Sequence, residues 1–205
     1  MATTVAEMTM SLDGYVADPD DGVGELFGWY GDGPWARDSG GDVAVPTARE
    51  GWAWRTTEAS AGHLRELVAC TGAIVAGRRF FDVAGGWKGG HPLGAPVFVD
   101  TAEVPDGWPR ADTPDTTFVT SGLADAIAAA REAAGDGLVG VGAARTAQRA
   151  LDLGLLDEVR INLVPVLLGA GIPFFGRLRD GPVRLEQTGV MVGHDVNHLR
   201  YRVAR

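Results

Sequence analysis

The chain carries one cysteine, Cys70, in 205 residues. A lone cysteine excludes an internal disulfide framework and fits a reducing compartment. Cys70 ends an apolar helical stretch, where packing rather than reactivity is expected. Positive charge is also scarce: 18 Lys and Arg stand against 27 Asp and Glu, a net charge of −9. Binding a phosphate backbone needs a concentrated positive footprint, so a nucleic-acid partner is excluded. The opening MATTVAEMTM lacks a basic segment followed by an apolar run, so no secretory signal is read there. The longest apolar stretch, INLVPVLLGAGIPFFG, is interrupted by Pro165, Gly169, Gly171 and Pro173. It also falls short of the ~20 residues a membrane helix needs. Internal repeats and low-complexity segments are missing too. A cytoplasmic protein with no membrane partner is the expectation.

Hydrophobic residues make up 45% and charged residues 22%, values that suit a globular protein with one sizeable core. One large domain over residues 1–205 is expected at this length. The stretch from about 18 to 55 has no clear period, is rich in glycine, and holds four of the six tryptophans, Trp29, Trp35, Trp52 and Trp54. These side chains are too apolar to leave in water, so the stretch is expected to fold down onto the domain. A loop of that length inside a compact domain is usually functional.

From Thr57 the pattern becomes regular. TEASAGHLRELVAC sets Leu64, Leu67 and Val68 on one helical face, and AIVAG follows as an apolar strand ending at Gly77. PVFVD, TTFVT and GLVGVG read as further short strands. In SGLADAIAAAREAAGDG, Leu123, Ile127 and Ala130 share a stripe, with Ser121 or Gly122 as cap and Gly135 as stop. AARTAQRALDLG is another amphipathic helix, with Ala143, Ala147, Ala150 and Leu151 inward. Strands alternating with helices imply a largely parallel sheet covered on both faces. The last quarter, DEVRINLVPVLL, VRLEQTGVMV and VNHLRYRVAR, has no intervening helix and suits antiparallel strands.

Ligands of open α/β sheets bind outside the carboxyl ends of the strands. Two strand-to-helix turns have suitable chemistry there. Gly77-Arg78-Arg79 offers backbone N–H groups and two guanidinium groups, a combination that suits a phosphate. Gly140-Val141-Gly142-Ala143-Ala144-Arg145 offers a G-x-G whose backbone a pyrophosphate can approach closely. Asp13, in TMSLDGYVA, is either part of a turn or a carboxylate shown to a ligand. His194 and His198 stand four apart in a strand-like segment with no third ligand nearby, so no metal site is read. Asp157-Glu158 is expected on the surface at a strand start, with Gly169 and Gly171 allowing a tight turn and Phe174 and Phe175 closing a wall.

MSLDGYVA, VAGRRFFD and LGLLDEVRINLVPVLLGAGIPFF, in that order and spacing, resemble the dihydrofolate reductase-like family. The likeness is greatest to its branch containing the reductase domain of riboflavin biosynthesis proteins. The resemblance implies a three-layer α/β fold: a central, mostly parallel sheet with antiparallel C-terminal strands, helices on both faces, and usually a homodimer. It implies an NAD(P)H-dependent reductase, with a nicotinamide cofactor held by Gly77, Arg78, Arg79 and the turn Gly140, Gly142, Ala143 and Ala144. Leu12, Asp13 and Gly14 would face the nicotinamide and a small heterocyclic substrate, with Trp29 contributing from the tryptophan-rich loop. Asp13 becomes the catalytic candidate, orienting substrate or handling a proton.

Three positions depart from the family pattern. Phe80 stands where threonine is common, Asp100-Thr101 follows the PVFV strand, and Gly142-Ala143 replaces consecutive glycines. A carboxylate about 4 Å from the 2′-phosphate of NADPH costs up to ~4 kcal/mol at an effective dielectric of 20. Asp100 therefore either disfavours NADPH, accepts from the 2′-hydroxyl of NADH, or turns into solvent. NADPH is the expected cofactor and NADH the alternative. The competing function is a non-catalytic small-molecule or nucleotide binder that keeps the fold without turnover.

Overall fold

Short apolar strands interleaved with amphipathic helices favour a buried parallel sheet, and the computed structural model of the protein is built on one. It describes residues 2–30, 42–108, 112–113, 115–176 and 178–204. The chain begins with strands β1 (Thr3–Ser11), β2 (Tyr15–Ala17), β3 (Val43–Pro46) and β4 (Ala53–Thr56). Helix α1 (Glu58–Cys70), β5 (Thr71–Gly77), α2 (Arg78–Val83), β6 (Val97–Asp100) and β7 (Thr116–Val119) follow. Next come α3 (Leu123–Ala134), β8 (Leu138–Gly142), α4 (Ala144–Asp152) and β9 (Glu158–Val164). The short β10 (Ile172–Pro173) precedes β11 (Leu185–Val192) and β12 (Asn197–Val203).

Eight strands form the main sheet in the order β11-β12-β9-β1-β8-β5-β6-β7. The run from β9 to β7 is parallel throughout, and β12 and β11 extend it antiparallel. Both faces are covered, which the period-two alternation within β5 makes visible. Ala73 and Val75 enter the large core under α3 and α4, with Leu123, Ile127, Val139 and Val141. Ile74 and Ala76 point the other way, to Phe81, Val97 and Val99. Alanines at 126, 130, 147 and 150 let α3 and α4 sit close to the sheet. α3 starts after Gly122 and stops at Gly135, both at positive φ, as the sequence leads one to expect. Among the described residues, no helix is long and apolar enough to cross a membrane.

The glycine- and tryptophan-rich stretch is not structureless. It contains the antiparallel pair β3–β4, whose four-residue strands are too short to show a period in sequence. As expected it folds down: Trp29 and Trp54 are buried in a core with Leu26, Val45, Leu64 and Val164. Trp52 does not; it stays 42% exposed, with the Arg49 guanidinium 5.3 Å from its ring centre. Trp35 lies outside the described residues.

Two further expectations need correction. Cys70 is exposed, because the buried residues of α1 (Ser60, Ala61, His63 and Leu64) lie in its first half and burial fades towards its C-terminal end, where Ala69 and Cys70 are both exposed. Asp157 is not simply a surface acid. Its Oδ2 accepts from the Thr4 backbone N–H at 3.0 Å and from Arg131 at 3.1 Å, pinning the start of β9 beside β1.

The N-terminal and C-terminal motifs meet in space. β10 pairs antiparallel with β2, and Gly171, at φ 155°, passes so close that a Cβ would stand 2.1 Å from the Ala17 carbonyl oxygen. Backbone cannot yield to a side chain as a flexible side chain can. Gly171→Ala is therefore expected to lose roughly 2 kcal/mol or more in urea unfolding. Gly24→Ala, with nothing within 4 Å of its added carbon, is expected to change stability by no more than about 0.5 kcal/mol.

Candidate active site

Register places the candidate residues along one edge of the sheet. Gly77 is the last residue of β5 and pairs with Asp100, the last residue of β6. Gly142 ends β8 beside Ala76. Asp13 follows β1, the neighbour of β8 on the other side, and so belongs to the same edge. Gly140 does not reach it. It lies inside β8, between Val5 of β1 and Ile74 of β5, where a Cβ would meet Ile74 Cδ1 at 3.2 Å. Its small size serves strand packing, and the turn proper is Gly142-Ala143-Ala144.

Asp13 is exposed yet fully engaged. Its Oδ1 accepts from the Ser11 hydroxyl at 2.6 Å and from the Leu168 N–H at 3.2 Å, and its Oδ2 accepts from the Gly169 N–H at 2.7 Å. The Ser11 hydrogen bond, aided by the two backbone donors against a small desolvation, holds its carboxyl below the usual aspartate range. Asp13 is thus an anion that braces the 168–169 loop, and a poor proton donor. On either side of it the Leu12 N–H donates to the Val166 carbonyl at 2.8 Å, and the Gly14 carbonyl accepts from Phe174 N–H at 3.0 Å. The Leu12 side chain is left exposed.

On the β5–β6–β8 side, glycine is demanded first by packing. A Cβ on Gly77 would stand 2.5 Å from Thr146 Oγ1 of α4, and one on Gly142 would stand 2.6 Å from the Phe80 ring of α2. Phe80 therefore occupies space beside the second turn, with Trp87 edge-on behind it. The Gly142–Ala143 peptide is cis. α4 begins at Ala144 with no side-chain cap, so its first-turn N–H groups point toward this edge without a capping side chain. The two arginines predicted to hold phosphate each have a carboxylate partner. Arg78 Nε donates to both oxygens of Asp82 at 2.9 Å, and Arg79 donates to Asp21, in the turn after β2, at 2.7 Å. Asp100 does not turn into solvent: it is 9% exposed, and its Oδ2 accepts from Arg149 of α4. Uncapped backbone donors, glycine at both turns and four arginines (78, 79, 145 and 149) fit the phosphates of a dinucleotide.

A cavity of about 220 Å³ is lined by Glu25, Leu26, Gly28, Trp29, Val164, Pro165, Val166 and Asp195; the Leu12 N–H bond to Val166 ties the end of β1 to its wall. Trp29 lines this cavity, with its indole N–H donating to Thr9 Oγ1 at 3.1 Å. Beneath it lies a buried polar cluster that the sequence reading missed. His198 Nδ1 is 2.7 Å from Asn162 Oδ1, and His198 Nε2 is 2.9 Å from the Ser60 hydroxyl. The Asn162 amide nitrogen donates to Glu7 Oε1 at 3.3 Å, and His63 Nε2 is 2.8 Å from that same oxygen. Because the Glu7 carboxylate only accepts, the Asn162 oxygen faces His198, whose Nδ1 then donates. The signal was present in β1, where Glu7, Thr9 and Ser11 alternate with Ala6, Met8 and Met10. His194, by contrast, is exposed and apart from this group.

Burial pushes the His198 ring down to about 4, and burial alone does the same for His91, whose Nδ1 accepts from the Leu93 N–H. An unfolded histidine takes its proton near pH 6.5. Between about pH 6.5 and 4 the unfolded chain therefore binds more protons, and stability falls as pH falls. Burial would raise the Glu7 carboxyl, but His63, then Arg160 and Asn162, outweigh it and keep the pKa low. Its contribution is full above the normal glutamate range and is lost as pH falls through and below that range. Urea midpoints taken from pH 7 to pH 4.5 are expected to drop steadily, and His198→Gln is expected to flatten the profile. A profile that stays level down to pH 4.5 would contradict the neutral, buried assignment.

Comparisons with known proteins show the family and the fold. The model of the RibD C-terminal domain family matches residues 2–198. Among solved structures, a putative riboflavin biosynthesis protein from Shewanella sp. PV-4 is 25% identical, with both chains covered in full and a TM-score of 0.70. A pyrimidine reductase-like protein from Corynebacterium diphtheriae is 14% identical over 100% of this chain and 92% of its own, at TM-score 0.63. A dihydrofolate reductase from Enterococcus faecalis, solved with NADP(H), is 14% identical over 99% of this chain and 97% of its own, at TM-score 0.58. No curated protein matches the chain by sequence. The three-layer architecture is thus dihydrofolate reductase-like.

Proposed function

Because the chain belongs to the RibD C-terminal domain family, we propose that it is an NAD(P)H-dependent reductase of a small heterocyclic C=N or C=O substrate. The observation that carries this reading is the shared edge. Gly77, Gly142, the uncapped start of α4 and Asp13 all stand at carboxyl ends of adjacent parallel strands. Gly77, Arg78, Arg79, Gly142, Ala143 and Ala144 would hold the dinucleotide, with Asp100 at its adenosine end. The nicotinamide ring supplies the hydride when bound.

The rest falls to the chain's own residues. Leu12, Gly14 and Trp29 shape the substrate side. Asp13 orients rather than protonates, since its low pKa keeps it ionised. Its hold on Leu168 and Gly169 fixes the loop bordering the substrate, the kind of positioning on which rate depends steeply. NADPH is the cofactor favoured, in keeping with the NADP(H) of the Enterococcus faecalis neighbour.

A second reading has its own support. Asp82 and Asp21 occupy the phosphate-side arginines, and Phe80 crowds Gly142, as in a binder that keeps the cleft without turnover. Parallel calorimetric titrations with NADPH and NADH separate the two readings. Binding of either, followed by oxidation on adding a pterin, pyrimidine or flavin compound, is the expected result. Binding of neither cofactor, together with thermal stabilisation by one of those compounds, would favour the binder.

The chain is also proposed to form a homodimer through its C-terminal strands. β11 is an edge strand whose Leu185, Val190 and Val192 are exposed, Val192 by 73%. Such an edge invites pairing unless covered. Light scattering at micromolar concentration is expected to give twice the 21.5 kDa chain mass; a monomer mass would rule the dimer out.

A further inference from the structure

The pair formed by Asp100 and Arg149 bears on a choice that the sequence leaves open. In dinucleotide sites an acid near the adenosine ribose selects the 2′-hydroxyl of NAD, whereas an arginine there accommodates the 2′-phosphate of NADP. This chain has one of each in contact. Asp100 ends β6 beside Gly77, and its Oδ2 accepts from Nη1 of Arg149, on the last turn of α4. The two differ in what they offer to solvent. The Asp100 side chain is 9% exposed and that of Arg149 is 50% exposed. A ligand arriving at the ends of β5 and β6 meets guanidinium, with the carboxylate behind it already neutralised. Arg145 adds a further guanidinium to the same edge, as do Arg78 and Arg79, each of those two already paired with an aspartate, and each of these side chains reaches solvent.

We infer that Arg149 is the residue that sets dinucleotide preference, cancelling the repulsion of Asp100 and itself donating to the 2′-phosphate. The inference rests on the reductase reading and deepens it. Guanidinium suits this task better than ammonium, because its planar fork can hold a carboxylate on one edge and a phosphate on another. Asp100, in turn, becomes the group that orients Arg149 rather than one that excludes NADPH.

The test measures equilibrium affinities, by calorimetry, for NADPH against NADH and for adenosine 2′,5′-bisphosphate against ADP. Four proteins are compared: wild type, Arg149→Met, Asp100→Asn and the double variant. Wild type is expected to prefer the 2′-phosphorylated member of each pair. Arg149→Met should lower that preference about tenfold or more, chiefly by weakening NADPH, because it removes a charge-assisted bond and unmasks Asp100. Asp100→Asn should keep or raise the preference. Arg149→Met should cost less alongside Asp100→Asn than alone, since no carboxylate is then unmasked, and this non-additivity marks direct coupling. Should the single Arg149 variant fail to fold, Asp100→Asn compared with the double variant carries the measurement, because neither leaves a lone buried charge. A preference that stays within about twofold across all variants overturns the role of Arg149 while leaving the reductase reading intact. Wild type binding neither cofactor nor either adenosine fragment overturns both.

Discussion

The structure turns on the crossing of its first and last motifs beside the ends of β1 and β9. Gly171 lies against the Ala17 carbonyl at a distance no side chain tolerates, and β10 pairs with β2 there. Asp13 gathers the Leu168 and Gly169 N–H groups, while Leu12 and Gly14 are tied to Val166 and Phe174. Without this crossing, the polypeptide after β9 would have no fixed path, and the cavity beside Trp29 would lose the wall formed by Val164, Pro165 and Val166. The contact also joins residues more than 150 positions apart, so it closes a long loop. Closing a loop of that size carries an entropic cost, which helps explain why several hydrogen bonds and a backbone contact converge on one place.

Asp13 shows how a functional motif and a structural one can be the same residues. Read in sequence, Asp13 was either a turn residue or a ligand-facing acid. In the fold it is a brace whose three donors keep it ionised. The brace fixes the loop at Leu168 and Gly169 against the end of β1.

The layered sheet was legible because its signals are local. β5 alternates between two cores, and α3 is bounded by Gly122 and Gly135, so a window of some fifteen residues suffices. The strand-end location of Gly77 and Gly142 followed from the same periodicity. What escaped was long-range or short in extent. Nothing near Arg79 announces Asp21, 58 positions away, and nothing near Asp100 announces Arg149, 49 positions away. β3 and β4 were lost because four residues, one of them Pro46 or Arg55, do not establish a period. Cys70 misled because the apolar face of α1 continues to its end while the cover over it does not. Gly140 misled because a glycine needed between tightly packed strands looks, in sequence, like one needed by a ligand.

The same limit explains the polar cluster beneath Trp29. Glu7, Asn162 and His198 occupy facing positions on β1, β9 and β12, with Ser60 and His63 brought in by α1. Each alone reads as a polar residue in a strand or helix; only the register sets Thr9 beside Asn162 and Asn162 beside His198. Burying a carboxylate and two imidazoles is costly unless every donor meets an acceptor, so the cluster demands one arrangement of amide and ring. That arrangement reaches upward through ring contacts: His198 stands edge-on to Trp29, with centroids 4.9 Å apart, and stacks on His63 at 4.2 Å. Trp29 is held on its other edge by Thr9. The cavity wall at Trp29 is therefore packed against polar groups that are themselves buried.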